Sequence, residues 1–412
     1  MLSLIFCFYV IVSTENAPIQ QMQLAAKKGD LELVTTLFEN GVDIDAKNPN
    51  TGYTPVLLAT LRGHRECVQK LLELGADINV QDSRGNSLLH ISISRNNEEI
   101  TRLLLDKKID IGLKDDRGNA PIHKAILVGN RRISKMLLAY PSTLNQRGNL
   151  ERTPLILATV QQRAYLINLL LNKGADIDAK DEMGNTAWDY ADHIALIQPF
   201  LAKGTDINQA TSTYPSKLFF AVDQQDKDLL EFLLANGAKV NQKDPYGWTP
   251  LMLARVLGYE QFETLAKQNL PEGVQLEAPG ENLAYFAAIG DLAKVKSLLA
   301  SGQNIDSLAR SGATPLLMAA AYEKMDVCEY LLEKGAFIDV QNDEGWTPLM
   351  FAATTSNLEL LQLLLELGAD YNLRTKQGVS LYYLAKKHHA SEDVFRLFSR
   401  WNIRPLRVPC CN

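Results

Sequence analysis

Residues 52–79 read GYTPVLLATLRGHRECVQKLLELGADIN, and this stretch decides the fold. Thr54 can accept a backbone N–H at the start of a helix, and Pro55 suits the first helical position, where its missing N–H costs nothing. Gly63 then closes a short first helix. A second helix carries aliphatic residues at three- and four-residue spacing, and Gly75 supplies a left-handed C-cap. The stretch therefore predicts two short helices followed by an extended arm.

The same pattern recurs along the chain with a period of 33 residues. Glycines keep this spacing in two series of fixed phase, and Thr-Pro recurs five times in the same frame. The first series is Gly52, Gly85, Gly118 and Gly184, resumed at Gly312, Gly345 and Gly378. The second is Gly41, Gly75, Gly174, Gly204, Gly237, Gly302, Gly335 and Gly368. Such a period indicates stacked repeats rather than one central core.

The order of these features resembles the ankyrin repeat, which starts Gly-x-Thr-Pro-Leu-His and ends Leu-Leu…Gly-Ala-Asp-x-Asn. The resemblance covers roughly residues 18–405 and is strongest in 53–79, 313–339 and 346–372. It implies an all-α solenoid of about twelve helix-loop-helix units with short β-hairpin arms. It also implies that other proteins bind to the hairpin tips and to the concave face of the first helices.

Irregularities in the period predict how the stack is divided. Repeats that begin near 18, 211 and 277 lack the Gly-x-Thr-Pro start, and a longer link with Pro271 and Pro279 precedes the last of them. The predicted division is a leader at 1–17, a repeat block at 18–209, degenerate repeats at 210–275, a second repeat block at 276–405 and a tail at 406–412.

The chain carries 42 basic and 48 acidic side chains, a net charge of −6. This balance argues against general nucleic-acid binding, which needs a basic surface to displace counterions. From Asn372 to the end, eight basic residues face two acidic ones, which gives +6. Two interpretations of this basic end stay open: a solvated end cap, and a contact with an anionic partner or a membrane surface.

The leader contains an apolar run, Leu2–Val12, that is too short to span a bilayer but suits the core of a signal peptide. No Lys or Arg precedes this run, and Ser13–Ala17 offers no good cleavage site. Two alternatives therefore stay open: export to a secreted or periplasmic location, and an extension that packs on the first repeat of a cytoplasmic protein. Cys410 and Cys411 leave a similar choice between lipidation and an unmodified tail.

The sequence contains no phosphate-binding loop, nucleophile elbow or zinc-protease motif. His64 and Glu66 form a His-x-Glu without the Pro-Cys-x-x-Cys partner of zinc deaminases, so the repeat frame explains them. His90 and His123 occupy the histidine position of the repeat, where the resemblance implies a hydrogen bond between neighbouring repeats. We therefore expect no enzymatic activity, no cofactor and no metal site.

The hairpin tips are the predicted partner-binding positions, because the resemblance places the residue between the glycine and the threonine there. Trp and Tyr are enriched at interface hot spots, although each ring can alternatively lie flat on a neighbouring arm. Met318 and Phe351 of the first helices are expected in the core, and Tyr322 at the groove. The predicted binding residues are Tyr53, Arg84, Arg117, Tyr246, Trp248, Arg310, Tyr322, Glu344, Trp346 and Lys376.

The leading functional hypothesis is a monomeric scaffold or adaptor that binds protein partners, with the main partner held by the block at 276–405. The alternative is an exported effector or membrane-associated protein that engages a host or surface protein. This alternative rests on the apolar leader and the basic tail.

Overall fold

The computed structural model describes residues 17–49, 51–270 and 274–405, and the regular secondary structure of these residues is almost entirely helical. The leader and tail predictions therefore fall outside the described residues, apart from Ala17. Twenty-three α-helices are present in the described part of the chain, so the predicted all-α class is confirmed.

The helices of the first half are α1 (Ala17–Lys28), α2 (Leu31–Glu39), α3 (Pro55–Arg62), α4 (Arg65–Glu73), α5 (Leu88–Ser94), α6 (Glu98–Asp106), α7 (Pro121–Val128), α8 (Arg131–Leu137), α9 (Pro154–Val160), α10 (Ala164–Asn172) and α11 (Ile194–Leu201). Those of the second half are α12 (Lys217–Asp223), α13 (Lys227–Ala235), α14 (Pro250–Val256), α15 (Gln261–Asn269), α16 (Leu283–Ile289), α17 (Leu292–Ala300), α18 (Pro315–Ala321), α19 (Met325–Glu333), α20 (Pro348–Thr354), α21 (Leu358–Glu366), α22 (Leu381–Lys387) and α23 (Glu392–Arg400). Paired in order, they form repeats 1 to 12, of which repeat 6 contributes only α11.

The Thr-Pro pairs begin the first helices as predicted, but the threonines are not equivalent. Four of them accept the N–H of the third helical residue at 3.2–3.4 Å, namely Thr153, Thr249, Thr314 and Thr347. Thr54 is the exception, because its hydroxyl makes no capping hydrogen bond. The predicted cap at Thr54 is therefore wrong, although Pro55 starts α3 and Gly63 closes it with φ of 81°.

The arms between repeats are held by side chains more than by strand pairing. The described residues contain only two isolated antiparallel bridges, Gln81–Ser87 and Arg374–Ser380. At the turn of the third repeat's arm, Asp82 Oδ1 accepts the backbone N–H groups two and four residues later, at 2.9 and 2.8 Å. The expected β-hairpin arms are thus tight turns closed by an Asp or Asn carboxyl or amide oxygen.

A second recurrent side chain links each arm to the next repeat. Asn79 Oδ1, for example, accepts the backbone N–H of Asp110 at 2.9 Å. Equivalent bonds of 2.7–3.1 Å join Asp45 to Asp77, Asn145 to Asp176, Asn208 to Lys239, Asn241 to Glu277, Asp306 to Phe337 and Asp339 to Asp370. These carboxylates and amides are therefore structural, as the repeat frame predicts.

The two repeat histidines bridge neighbouring repeats, which confirms the prediction for them. His90 Nε2 lies 2.9 Å from the carbonyl oxygen of Asn119, and His123 Nε2 lies 3.1 Å from that of Arg152. Both rings are fully buried. Burial lowers the pKa of both imidazoles below the ordinary value of 6.5, because the charged form loses its hydration.

Repeat 6 departs most from the pattern. Turns replace its first helix, and Pro199 lies inside its only α-helix, α11. Trp188, in these turns, packs edge-on against Phe200 of α11, with ring centroids 5.9 Å apart. Trp188, which is 1% exposed, thus supplies a core side chain from the segment that forms the first helix in the other repeats.

The described residues form two compact units. The N-terminal unit extends to Asp206 and includes Thr211–Thr213, and the C-terminal unit comprises Ile207–Ala210 and the chain from Tyr214 onward. The finer division into three blocks, with a boundary near 275, stays a prediction. Each unit is described by itself below.

Candidate partner-binding site

The tip of repeat 11 is a tight turn that fixes two predicted binding residues. Asn342 Oδ1 accepts the N–H groups of Glu344 at 3.0 Å and Trp346 at 2.9 Å. The neighbouring tip is attached through backbone groups, because Lys376 N donates to the carbonyl oxygen of Glu344 at 2.9 Å. Gly345 is required at this contact, since a Cβ there would lie 2.7 Å from Lys376 N. The geometry of these tips is therefore set before any partner binds.

The ring of Trp346 is half-buried and lies on side chains of two repeats. Its centroid lies 4.9 Å from that of Phe351 on α20 and 5.8 Å from that of His388, the residue that ends α22. The ring therefore folds from the tip onto the first helices, yet part of it stays exposed. Both alternatives weighed for this position hold in part, because the ring is supported by neighbours and remains accessible.

A row of half-buried apolar side chains continues from Trp346 along the first helices of the C-terminal unit. Phe286, Met318 and Phe351 occupy matching places in α16, α18 and α20, and each packs on the core while exposing one side. The expectation that Met318 and Phe351 are core residues is therefore only partly right. Tyr322, which follows α18, is also half-buried. The aromatic row is our name for five residues, all aromatic except the second: Phe286, Met318, Tyr322, Trp346 and Phe351.

Trp248 is placed differently, and its predicted exposure at a tip is wrong. Only 1% of its surface is accessible, because its ring inserts between α14 and α16 and meets Tyr285 edge-on at 5.9 Å. Tyr285 of repeat 9 contacts the indole here, so the indole is buried in the core. Tyr246 of the same tip remains 39% exposed.

The predicted residues of the N-terminal unit lie at a separate surface. Arg84 and Arg117 are exposed tip residues, and the Arg84 carbonyl oxygen accepts the N–H of Asp116 at 2.9 Å. Lys124 of α7 joins them at a groove of about 400 Å³. Tyr53 is half-buried at the preceding tip.

The structure thus brings the predicted residues together in two groups. Glu344, Trp346 and Lys376 belong to the C-terminal unit, whereas Arg84 and Arg117 belong to the N-terminal unit. The side chain of Arg310 lies outside the described part of the structure. Phe286 is not among the binding residues that the sequence predicts. The register with Met318 and Phe351, 32 and 33 residues apart, could have identified Phe286.

Comparison with known proteins agrees with this geometry. A family model described as ankyrin repeats in three copies matches residues 22–115, 107–181, 183–275 and 283–375, which is most of the chain. The chain belongs to the ankyrin-repeat family. Ankyrin repeats are protein–protein interaction modules.

Proteins of very different length are similar to parts of this chain. The ankyrin repeat protein YahD of Escherichia coli K12 is 33% identical over 263 residues, which cover 62% of this chain and 97% of YahD. Ankyrin repeat domain-containing protein 29 of Danio rerio is 47% identical over 58 residues, 14% of this chain and 19% of the relative. Potassium channel AKT1 of Arabidopsis thaliana is 34% identical over 101 residues, 24% of this chain and 12% of the channel. The chain therefore spans only a small part of the last two relatives.

The ankyrin-repeat family is generally non-catalytic. Within residues 17–49, 51–270 and 274–405, no cluster of three or more His, Cys, Asp or Glu side chains could hold a metal ion. No helix among the described ones is long and apolar enough to cross a membrane. Buried cysteines are unreactive, because burial raises the pKa of Cys67 to about 11 and of Cys328 to about 12.

Proposed function

We propose that this ankyrin-repeat protein is a non-catalytic scaffold that binds a protein partner through the C-terminal unit. The observation that carries the proposal is the aromatic row, capped by Trp346 and flanked by the fixed tip residues Glu344 and Lys376. A half-buried indole on a preset tip needs little ordering when a partner covers it, which favours affinity. Aromatic rings of this kind are the residues that dominate binding energy at interfaces.

A crosslinking experiment tests where the partner binds. A photocrosslinking residue is placed at Glu344 of the tip, and in a second variant at Glu329 on the exposed side of the second helix α19. In cells that express the chain, we expect a discrete crosslinked partner from position 344 and none from position 329. Equal crosslinking from both positions would contradict binding at the tips.

Trp346→Ala in the position-344 variant should reduce crosslinking roughly tenfold or more, as expected for a hot spot. Phe337→Ala is the matched control, because this ring is 70% exposed on an arm of the same unit. The control should leave the yield unchanged. We also propose that the scaffold is monomeric and cytoplasmic, which light scattering and cell fractionation test.

An exported effector is the second candidate, and it rests on the apolar run Leu2–Val12, which lies outside the described residues. The intact mass of natively expressed protein separates the two candidates. Loss of about the first 17 residues from protein found outside the cytosol would favour export. A full-length mass in the cytosol would support the cytoplasmic scaffold.

A further inference from the structure

The first helices of the N-terminal unit carry a pronounced charge asymmetry. The five helices α1, α3, α5, α7 and α9 contain no Asp or Glu. Three exposed bases stand at the ends of the first three: Lys28 ends α1, Arg62 ends α3, and Arg95 caps α5. The second helices of the same repeats, α2, α4 and α6, each contain at least two acidic residues. The first helices of this unit therefore carry basic residues and no acidic ones, in a chain whose net charge is −6.

Further bases lie at the tips of the same unit. Arg84 and Arg117 are exposed at successive tips, and they line a groove of about 400 Å³ together with Lys124. Within the described residues, none of the six side chains forms an ion pair. We call Lys28, Arg62, Arg95, Arg84, Arg117 and Lys124 the basic face.

Three carboxylates lie at the tips of the basic face and reduce its charge only in part. Asp82 Oδ1 accepts the N–H of Arg84 at 2.9 Å, and Asp115 Oδ1 accepts the N–H of Arg117 at 3.0 Å, so each serves the turn of its own arm. Asp116 is exposed and its side chain faces solvent. Favourable interaction with helix dipoles explains one base at each helix end. The dipole explains neither the two tip arginines nor the missing acids.

The first helix of repeat 4, α7, ends with apolar residues instead of a base. Leu127 and Val128, the last residues of α7, are 39% and 38% exposed, and Val128 stands where the preceding repeats carry Arg62 and Arg95. At matching places, repeats 1 to 3 therefore carry a base and repeat 4 carries the apolar Val128. A complementary ligand needs negative charges followed by a large apolar group.

We propose that the basic face binds an extended acidic segment of a partner protein, with an apolar residue of that segment placed on Leu127 and Val128. The inference rests on the proposed function, because it assigns partner chemistry to a protein-binding scaffold, but it concerns the other unit. Neighbouring helices pack about 8–10 Å apart, and an extended chain advances about 3.3–3.6 Å per residue. An acidic residue at about every third position therefore places one carboxylate opposite each repeat.

The probe that tests this is a labelled synthetic peptide with Glu at every third position and Leu at one end, titrated against the full chain by fluorescence anisotropy. We expect saturable binding that weakens roughly tenfold as salt rises from about 0.05 M to 0.3 M, since screening shortens the reach of exposed charges. The triple variant Lys28→Glu, Arg62→Glu and Arg95→Glu should weaken binding roughly ten- to a hundredfold, as three exposed pairs are reversed.

A matched charge reversal separates the basic face from general electrostatics. Arg102→Glu, Lys107→Glu and Lys135→Glu change the same charge at exposed places on the second helices and their ends. This control variant should bind the peptide nearly as well as the unchanged chain, and circular dichroism must show both variants folded. Equal weakening by the two variants, or no binding by the unchanged chain, would overturn the proposal.

Two other anionic probes complete the test. Phosphatidylserine vesicles and single-stranded oligothymidylate should bind more weakly than the peptide, because neither presents one carboxylate per repeat followed by an apolar side chain. Tighter binding of either probe that is lost in the triple variant would assign the basic face to a membrane or a nucleic acid and overturn the proposal. Crosslinking from position 344 reports the C-terminal unit independently, so each proposal can fail without the other.

Discussion

Replacement of Trp248 by Ala tests whether two tryptophans at equivalent tips have different roles. Trp248 is 1% exposed and packs on Tyr285, so its removal leaves a cavity between α14 and α16. Truncation of a fully buried Trp costs about 3–5 kcal/mol. Trp346 is half-buried, and the same truncation there should cost about half as much, about 1.5–2.5 kcal/mol. Trp248→Ala should therefore lower stability more than Trp346→Ala does, whereas Trp346→Ala should weaken partner binding more.

Peptide-resolved hydrogen exchange measures these losses, because a repeat array opens locally and a single unfolding free energy does not describe it. Trp248→Ala should accelerate amide exchange in α14 and α16 by roughly a hundredfold or more. Trp346→Ala should accelerate exchange in α20 and α22 less. Urea-dependent labelling of Cys67, which is buried in the N-terminal unit, serves as the internal control and should not change. Equal acceleration by both variants would refute the assignment of Trp248 to the core.

Three further predictions concern the buried histidines, the tip of repeat 11 and the helix caps. Because burial lowers the pKa of His90 and His123, the folded N-terminal unit binds fewer protons than its unfolded chain, so its stability should be full above about pH 6.5 and fall below it. Urea midpoints for labelling of the buried thiols Cys67 and Cys328, measured at several pH values, should fall more for Cys67 in the N-terminal unit, and equal changes for both thiols would argue against this cause. Asn342→Ala removes two bonds of about 0.5–1.5 kcal/mol each and should speed exchange of the tip amides of repeat 11; unchanged exchange would mean that the tip is held by other contacts. Thr153→Val removes a helix cap and should destabilise repeat 5 by about 1 kcal/mol, whereas Thr54→Val should be nearly neutral because the Thr54 hydroxyl caps nothing. Rates of local amide exchange in repeats 5 and 2 measure the two effects.

The sequence predicts the helices and their ends well, because Thr-Pro, glycine and aliphatic spacing act locally within each repeat. It does not predict the burial of side chains whose neighbours come from the next repeat. Trp248 and Trp346 follow the same tip glycine, but the first meets Tyr285 and the second meets Phe351 and His388. The partners from the next repeat, Tyr285 and His388, lie 37 and 42 positions further along the chain, and the period alone contains no information about them.

The row of bases at the ends of the first helices is not predicted from the sequence, for a related reason. Lys28, Arg62 and Arg95 are 34 and 33 residues apart, and each looks like an ordinary solvated charge when read along the chain. Only the stacking of first helices brings them into one row. Tabulating residues by their place in the repeat, instead of by their order, could have found them.

Adjacent tips are joined by main-chain atoms, as when Asp116 N donates to the Arg84 carbonyl oxygen and Lys376 N donates to that of Glu344. Side chains at these tips can therefore be exchanged by mutation while the spacing between them persists. Selection can retarget such a surface to a new partner one residue at a time, without passing through variants that have lost their shape. An engineer can do the same by grafting side chains from one array onto the tips of another.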